Sequence, residues 1–595
     1  MCGIIGYIGK GNSIPILLDG LKNLEYRGYD SVGISIVENN KLKIIKEKGK
    51  VKELEKDINK DMYSNIGIGH TRWATHGKAN KTNAHPHHYG SITIVHNGII
   101  ENYLDLKKEL EKIGYKFISE TDTEVACAYI NYIYNKEKDI LKTLNICSKE
   151  FIGSFAIGII VKDDYDNLYV MKKESPLIIG VSKDENFIAS DVPAIINHTN
   201  KYILLEDMEY AKINSKKIEV YKNGRIQKKI VKEFKHSISN ISKEKFDHYM
   251  LKEITEQPFV IEHLINEYFK DGKLLKNKLP DLSLYNKIYI VGCGSAYHAG
   301  IVGKYLIEKY GNSEVFVELA SEFRYKKLFL DKNSLVIAIS QSGETADTLA
   351  SLKIAKHMKA HTLSIVNVFE SSIARFTDNV IYTEAGNEIA VATTKGYTSQ
   401  VFILSLLALK LGLLNKYIKE KDIIDYYRTI SKEMKKLIKK DYTNIANDLY
   451  KRNCIFFIGR NIDYAMALEG SLKLKEISYI HAECYAAGEL KHGTISLIEK
   501  NTPVIGLITN DNVADKTISN VKEVISRGAY VILICKDNIK ANNCYNEKIK
   551  IPSTLDLLQP ILNIIPLQLI AYEVAKLKKC DIDKPRNLAK SVTVE

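Results

Sequence analysis

The alternation of apolar and polar positions changes character along the chain. Up to about residue 225, short β-like runs dominate: GIIGYIG, VGISIVE, IGIGHTRW, ITIVHNG, FAIGIIV, YVMKKES and FIAS. Helical stretches at 101–113 and 122–135 fall between them, which predicts an α+β layered sandwich. The segment 234–258 is polar first and helical later and reads as a linker. From about 280, strand-like runs alternate with helices: IYIVGCG and a helix to 310, SLVIAIS and ETADTLASLKIAKHM, then TLSIVNV. That alternation predicts a doubly wound parallel sheet.

The second pattern occurs twice. Gly292 and Gly459, Val336 and Val504, and Leu363 and Val531 stand 167, 168 and 168 residues apart. Near-equal offsets between corresponding strands predict a duplicated α/β unit. The expected organisation is a first domain at 2–225, a linker and helical connection at 226–277, α/β domains at 278–418 and 446–585, and a tail at 586–595.

Composition narrows the class without naming it. The 595 residues are 45% hydrophobic and 26% charged, ordinary for a globular chain, so disordered, collagen and coiled-coil classes are excluded. At roughly 150 residues per domain the length allows about four compact units. The formal charge of +13 comes from basic residues scattered among acidic ones, as in KEKGKVKELEKD (46–57). A nucleic-acid surface would be clustered and interleaved with aromatics, so no nucleic-acid partner is expected.

Nine cysteines with no CxxC pair fit neither a disulfide framework nor a zinc ribbon. The N-terminus has no secretory pattern. The longest apolar stretch, 555–575, is interrupted by Pro560, Pro566, Gln559, Asn563 and Gln568. It reads as core rather than as a membrane span. A cytoplasmic location with no membrane association is expected.

Cys2 follows Met1 directly. Removal of Met1 would expose an α-amine of pKa roughly 7.7–8.0 beside the thiol, so one residue could supply nucleophile and base. HTRWATHG (70–77) offers Arg72, whose planar fork suits a carboxylate, with Trp73, Thr75 and His76 beside it. In HNGII (96–100), the Asn97 amide and the Gly98 N–H could point at an oxyanion. In ETDTE (120–124), Asp122 could meet an ammonium or simply cap a helix. CGIIGYIG, LEYRGYDSVGI, HTRWATHG, HPH, VHNGIIENY and SETDTE together resemble the class II glutamine amidotransferase family, whose domain is an N-terminal nucleophile sandwich. The resemblance implies Cys2 as nucleophile, Asn97 and Gly98 as oxyanion hole, Arg72 and Asp122 on the α-carboxylate and α-ammonium of glutamine, and Trp73, Thr75 and His76 around it. It implies no metal, and His85 and His87 lack the carboxylate or cysteine that would complete a ligand set.

SLVIAISQSGETADTLASL (334–352) is a strand, a hydroxyl-rich loop and a helix. Ser340, Gln341, Ser342 and Thr345 sit where free N–H groups and the helix dipole favour an anion. A plain capping box is the alternative. The loop resembles the phosphate loop of the sugar isomerase (SIS) family. The second copy reads ITNDN there, so one phosphate site is expected per duplicated pair. Glu469, Lys473 and Glu476 lie at i, i+4 and i+7, on one helix face.

SEFRY, SQSGETADTLA, VATTKGYTSQ, LEGSLKLKEISYIHAECYAAGELKHG and KPRNLAKSVTVE extend the resemblance over the whole chain. They are similar to the isomerising glutamine-dependent sugar-phosphate aminotransferases. That resemblance implies L-glutamine and D-fructose 6-phosphate as substrates, D-glucosamine 6-phosphate as product, no cofactor, and a homodimer sharing the sugar site. It implies a Schiff base at Lys590, ring opening by His492 of a neighbouring subunit, and proton transfer by Glu476 beside Lys473. Ser295, Ser340, Gln341, Ser342, Thr345, and the backbone at Val391 and Ala589 would hold the sugar phosphate. Ala296 departs from the family, which often carries a hydroxyl there. Neither a phosphoribosyl-diphosphate loop nor an SGGxDS-type ATP loop is present. An aminotransferase for another ketose phosphate, or a non-catalytic SIS sensor, remains the alternative reading.

Overall fold

The computed structural model describes the chain except residues 1, 60, 75, 235–242, 594 and 595. The chain divides into two compact units, Met1–Ile238 with Ala589–Glu595, and Ser239–Leu588.

The first unit is built on two antiparallel sheets. In the eight-stranded sheet, Gly3–Gly9 lies between Glu185–Ala189 and Ile66–Arg72, and Ser31–Glu38 follows. In the seven-stranded sheet, Ile92–Ile100 lies between His87–Tyr89 and Gly153–Val161. Strand periodicity sends Ile4 and Ile8 into the layer between the sheets and Ile5 and Tyr7 to the opposite face. Leu17 and Leu21 of the helix Ser13–Leu24 cover that outer face. The helices Asp122–Glu137 and Ile140–Glu150 cover the other sheet. Both faces of Gly3–Gly9 are therefore buried, which is why its sequence is a continuous apolar run. The helix Ser13–Leu24 and the strands after residue 200 escaped the sequence reading.

The second unit holds two five-stranded parallel sheets of identical strand order. In chain order within each copy, that order is 2-1-3-4-5. The first uses Lys287–Gly292, Glu314–Leu319, Ser334–Ser340, His361–Val366 and Asn379–Tyr382. The second uses Cys454–Gly459, His481–Ala486, Pro503–Ile508, Tyr530–Lys536 and Glu547–Ile551. The order reverses between strands 1 and 3, and the C-terminal end of that crevice is where open α/β sheets bind ligands. Gly294 (φ 55°, ψ −125°) and Asn461 (φ 58°, ψ −130°) open corresponding helices in the same uncommon conformation.

In the stretch read as a linker and helical connection, residues 235–242 lie outside the described residues, and the helix Tyr249–Tyr268 belongs to the core of the second unit. It runs through Pro258, which cannot donate to Ile254 O. The Gln257 side chain donates to that carbonyl instead, at 3.2 Å. Among the described residues, Lys395–Leu414 and Gln559–Leu577 are long and apolar enough to cross a membrane, and both are 83% buried.

Candidate active site

Cys2 leads into the central strand Gly3–Gly9, and Trp73 follows the neighbouring strand Ile66–Arg72. Trp73 N donates to Cys2 Sγ at 3.4 Å, and the thiol lies 3.6 Å from Trp73 O. Burial raises the Cys2 thiol pKa, opposed by the nearby amino terminus, the Trp73 backbone bond and Arg72.

Asn97 lies on Ile92–Ile100, and its side-chain amide donates to Cys2 O at 3.0 Å. Its Oδ1 accepts from His70 Nε2 at 3.1 Å, and the same ring nitrogen reaches His96 O at 2.9 Å. Because Asn97 accepts on one side, its NH2 must face Cys2. His70 is fully buried, and burial holds its pKa down to about 3, so the ring is a neutral donor. His70 was missed in the sequence because it reads as one more buried strand position. Gly98 has φ +124°, and a Cβ there would meet Ser154 O at 2.0 Å. Only glycine fits.

Arg72 is buried, and its guanidinium donates to the carbonyls of His76, Gly77 (3.2 Å) and Lys78 (3.3 Å). The loop therefore orients the fork. Glu120 braces the loop, accepting from Lys78 N at 3.0 Å and from Asn83 Nδ2 at 2.9 Å. The His76 ring meets Tyr103 edge-on at 5.6 Å. Thr75 lies outside the described residues. Asp122 is not the helix cap. Thr121 caps Asp122–Glu137 through Glu124 N, and Asp122 is the first helical residue, accepting from Ile100 N at 2.9 Å. Its carboxylate thereby ties the helix start to the Asn97–Gly98 strand.

His85 and His87 join His70 and His96 in a buried cluster. The His70 and His85 ring centres are 4.1 Å apart, and those of His85 and His87 5.1 Å. Among the described residues no group of three or more His, Cys, Asp or Glu side chains could hold a metal.

In the second unit, Ser340 ends the third strand of the first sheet. Its Oγ accepts from Gly343 N at 3.0 Å and lies 2.9 Å from Thr345 Oγ1. Ser342 Oγ accepts from Glu344 N at 3.2 Å. Gly343 (φ +65°) makes the turn, and a Cβ there would meet Ser371 Oγ at 1.9 Å. Thr345 precedes Ala346–His357 without a side-chain capping bond, so the loop is not a simple capping box. Gln341 is half-buried against Gly396.

Lys473 and Glu469 are fully buried on the helix Ile462–Ser478, which packs on Ser295–Tyr310. Lys473 Nζ lies 2.6 Å from Glu476, 3.4 Å from Glu469 and 3.0 Å from Ser295 Oγ. Ser295 Oγ donates to Glu469 at 2.7 Å, and His298 Nδ1 lies 2.8 Å from the other Glu469 oxygen. Burial alone would lower the Lys473 ammonium's pKa. The two carboxylates outweigh it and hold it raised. Ser295, expected on the sugar phosphate, bonds in this structure to Glu469 and Lys473 of the helix Ile462–Ser478. His298 was not singled out in the sequence, because its partner Glu469 comes from the other copy.

Val391 N donates to Asp583 O at 2.9 Å, so that amide is already used. The Asp583 carboxylate accepts from Tyr249 N and Met250 N, each at 3.0 Å. Arg586 N donates to Tyr479 Oη at 2.9 Å, and its guanidinium stacks over that ring. These contacts anchor the segment before the tail. His492 closes a short 3-10 turn and is exposed. Ala589 and Lys590 fall within the first compact unit, whereas Lys473, Glu476 and His492 fall within the second.

A Cys2–Asn97 cluster in an N-terminal sandwich and a hydroxyl-rich loop in a duplicated α/β unit therefore coexist. A glutamine amidotransferase domain model matches residues 70–197, and the SIS domain model matches 281–410 and 448–578. The class is a glutamine amidotransferase fused to two SIS domains. The chain is 48% identical over 611 residues to the glutamine–fructose-6-phosphate aminotransferase [isomerizing] of Clostridium tetani, with both chains fully covered. It is 44% identical over 607 residues to the protein of that name from Pyrococcus horikoshii, again over both full lengths. The solved C-terminal domain of the Francisella tularensis glucosamine-fructose-6-phosphate aminotransferase matches 57% of this chain and 99% of its own, at 38% identity and a TM-score of 0.54. The chain belongs to the isomerising glutamine–fructose-6-phosphate aminotransferase family.

Proposed function

We propose that two sets of residues divide one reaction, the glutamine-dependent conversion of D-fructose 6-phosphate to D-glucosamine 6-phosphate, the entry into amino-sugar nucleotide synthesis. The observation that carries the reading is the His70–Asn97–Cys2 chain of hydrogen bonds beside a pre-oriented Arg72. It supplies a nucleophile and a rigid donor for an oxyanion.

In the first half-reaction, Met1 removal frees the Cys2 amine, which takes the thiol proton. The thiolate attacks the glutamine amide carbon. The oxyanion rests on Asn97 Nδ2 and Gly98 N, and ammonia departs. Water then releases glutamate. Arg72 and Asp122 hold the substrate's α-carboxylate and α-ammonium, with His76 beside them.

In the second, His492 from a neighbouring subunit opens the sugar ring, a role that suits its exposure. Lys590 attacks C2 as an unprotonated amine and expels water, forming a Schiff base. Ammonia displaces the lysine at C2, and Glu476 moves a proton between C1 and C2. Lys473 keeps the Glu476 carboxylate in place. Phosphate sits on Ser340, Gln341, Ser342 and Thr345 at the strand-order reversal. Ammonia has to pass internally, with Trp73 as its gate, because in neutral water it is mostly ammonium and cannot attack. The functional unit is a homodimer in the cytoplasm.

The test is incubation with glutamine and fructose 6-phosphate and mass spectrometry of the products. Cys2→Ala should abolish glutamine use yet retain slow synthesis from concentrated ammonia. Lys590→Ala should do the reverse. Loss of both activities in either variant would count against two separable half-reactions.

A further inference from the structure

The duplicated unit has two loops in the position that binds phosphate, and they differ in what fills them. Residue 463 occupies in the second copy the place of residue 296 in the first. A Cβ built on Gly292 would meet the backbone of Ala296 and Tyr297 at 3.0 Å. One built on Gly459 would meet that of Asp463 and Tyr464 at 2.6–2.7 Å. Thr509 and Asn510 likewise follow the third strand as Gln341 and Ser342 do.

In the second copy the loop already holds an anion. Asp463 is 1% exposed. Its Oδ2 accepts from Thr509 N at 2.7 Å and Asn510 N at 3.1 Å, and its Oδ1 accepts from Thr509 Oγ1. Two loop N–H groups and a hydroxyl converging on one oxyanion is the donor set that otherwise receives phosphate oxygens. Thr509 is aimed by Asn563 Nδ2 at 2.6 Å, and Asn563 accepts from Gln559 Nε2 at 3.0 Å. Every member of this relay is buried. At the corresponding place the first copy offers only the Ala296 methyl, which has no charge to present.

We infer that Asp463 is an internal substitute for phosphate, closing the second anion cradle, and that Ala296 leaves the first one open. One position thus decides which repeat takes a sugar phosphate. This rests on the reading of the 340–345 loop given above. It adds a reason for the single site: a second bound phosphate would place its charge against a carboxylate that cannot leave.

Equilibrium dialysis of labelled inorganic phosphate against the full chain tests this. The native chain should bind one phosphate, and Asp463→Ser should bind two. The reciprocal pair guards against misfolding of that variant. Ala296→Asp should bind phosphate in the first cradle at least tenfold more weakly than the native chain. Ala296→Asn, equal in size but neutral, should stay within about threefold of native, since hydrogen-bond geometry rather than charge is altered. Native stoichiometry in a folded Asp463→Ser chain, or equal loss in the two Ala296 variants, overturns the inference. A native chain binding no phosphate, with one gained in Asp463→Ser, would sink the reading of the first loop and the open cradle at Ala296, and leave only the closing role of Asp463 standing.

Discussion

At the scale of single residues, the amidotransferase chemistry depends on the direction an amide faces. Asn97 can offer its NH2 to the reaction only if its oxygen is occupied, and His70 Nε2 occupies it at 3.1 Å. His70 is then a positioning residue. His70→Ala should lower kcat for glutamine hydrolysis by about 10- to 100-fold, somewhat less than deleting an oxyanion donor outright, while KM changes little. His70→Gln, which carries an N–H of similar reach, should restore part of the rate. Steady-state kinetics on the pair decides it. Equal defects in both variants, or a change confined to KM, would reduce His70 to packing. The residues proposed to act directly, Cys2, Arg72, Asn97 and Gly98, were legible because each sits in a short string whose local backbone needs are distinctive. His70 was not, because its partner is 27 residues away on another strand.

At the scale of elements, helix ends do much of the positioning. Asp583 caps Tyr249–Tyr268 from 333 and 334 residues away, and its own carbonyl holds Val391 N. No sequence periodicity records such a pairing, so nothing in the string around Asp583 marks it as a helix cap. Asp583→Ala removes two capping acceptors and should cost about 1–2 kcal/mol. It should also loosen the chain just before Ala589 and Lys590. Synthesis from ammonia should then fall several-fold while glutamine hydrolysis stays near native. Asp583→Asn, keeping one oxygen acceptor, should recover part of the loss. Thermal melts with both assays would show it, and a melt shift with no change in synthesis would separate the cap from the chemistry. Ser295 teaches the same lesson in reverse. Its place at a helix start was readable. Its partners Glu469 and Lys473 were not, because they lie across the duplication.

At the scale of the whole molecule, the two units should respond differently to acid. The first buries His70, His85, His87 and His96 together. Burial lowers the pKa of each, to about 3 for His70 and well below the ordinary value for His85 and His87. In the unfolded chain each titrates near 6.5. Between the folded and unfolded values the unfolded chain binds protons that the folded unit refuses. Stability is therefore complete above about pH 6.5 and falls as pH drops below it, by up to about 1.4 kcal/mol per pH unit for each histidine. Trp73 is the only tryptophan in the sequence and lies in the first unit, so its fluorescence reports on that unit alone. The urea midpoint read by Trp73 should drop on going from pH 7 to pH 5. His85→Asn, which cannot take a proton, should flatten that dependence. An unchanged slope in the variant would show that the acid response lies in the carboxylates instead.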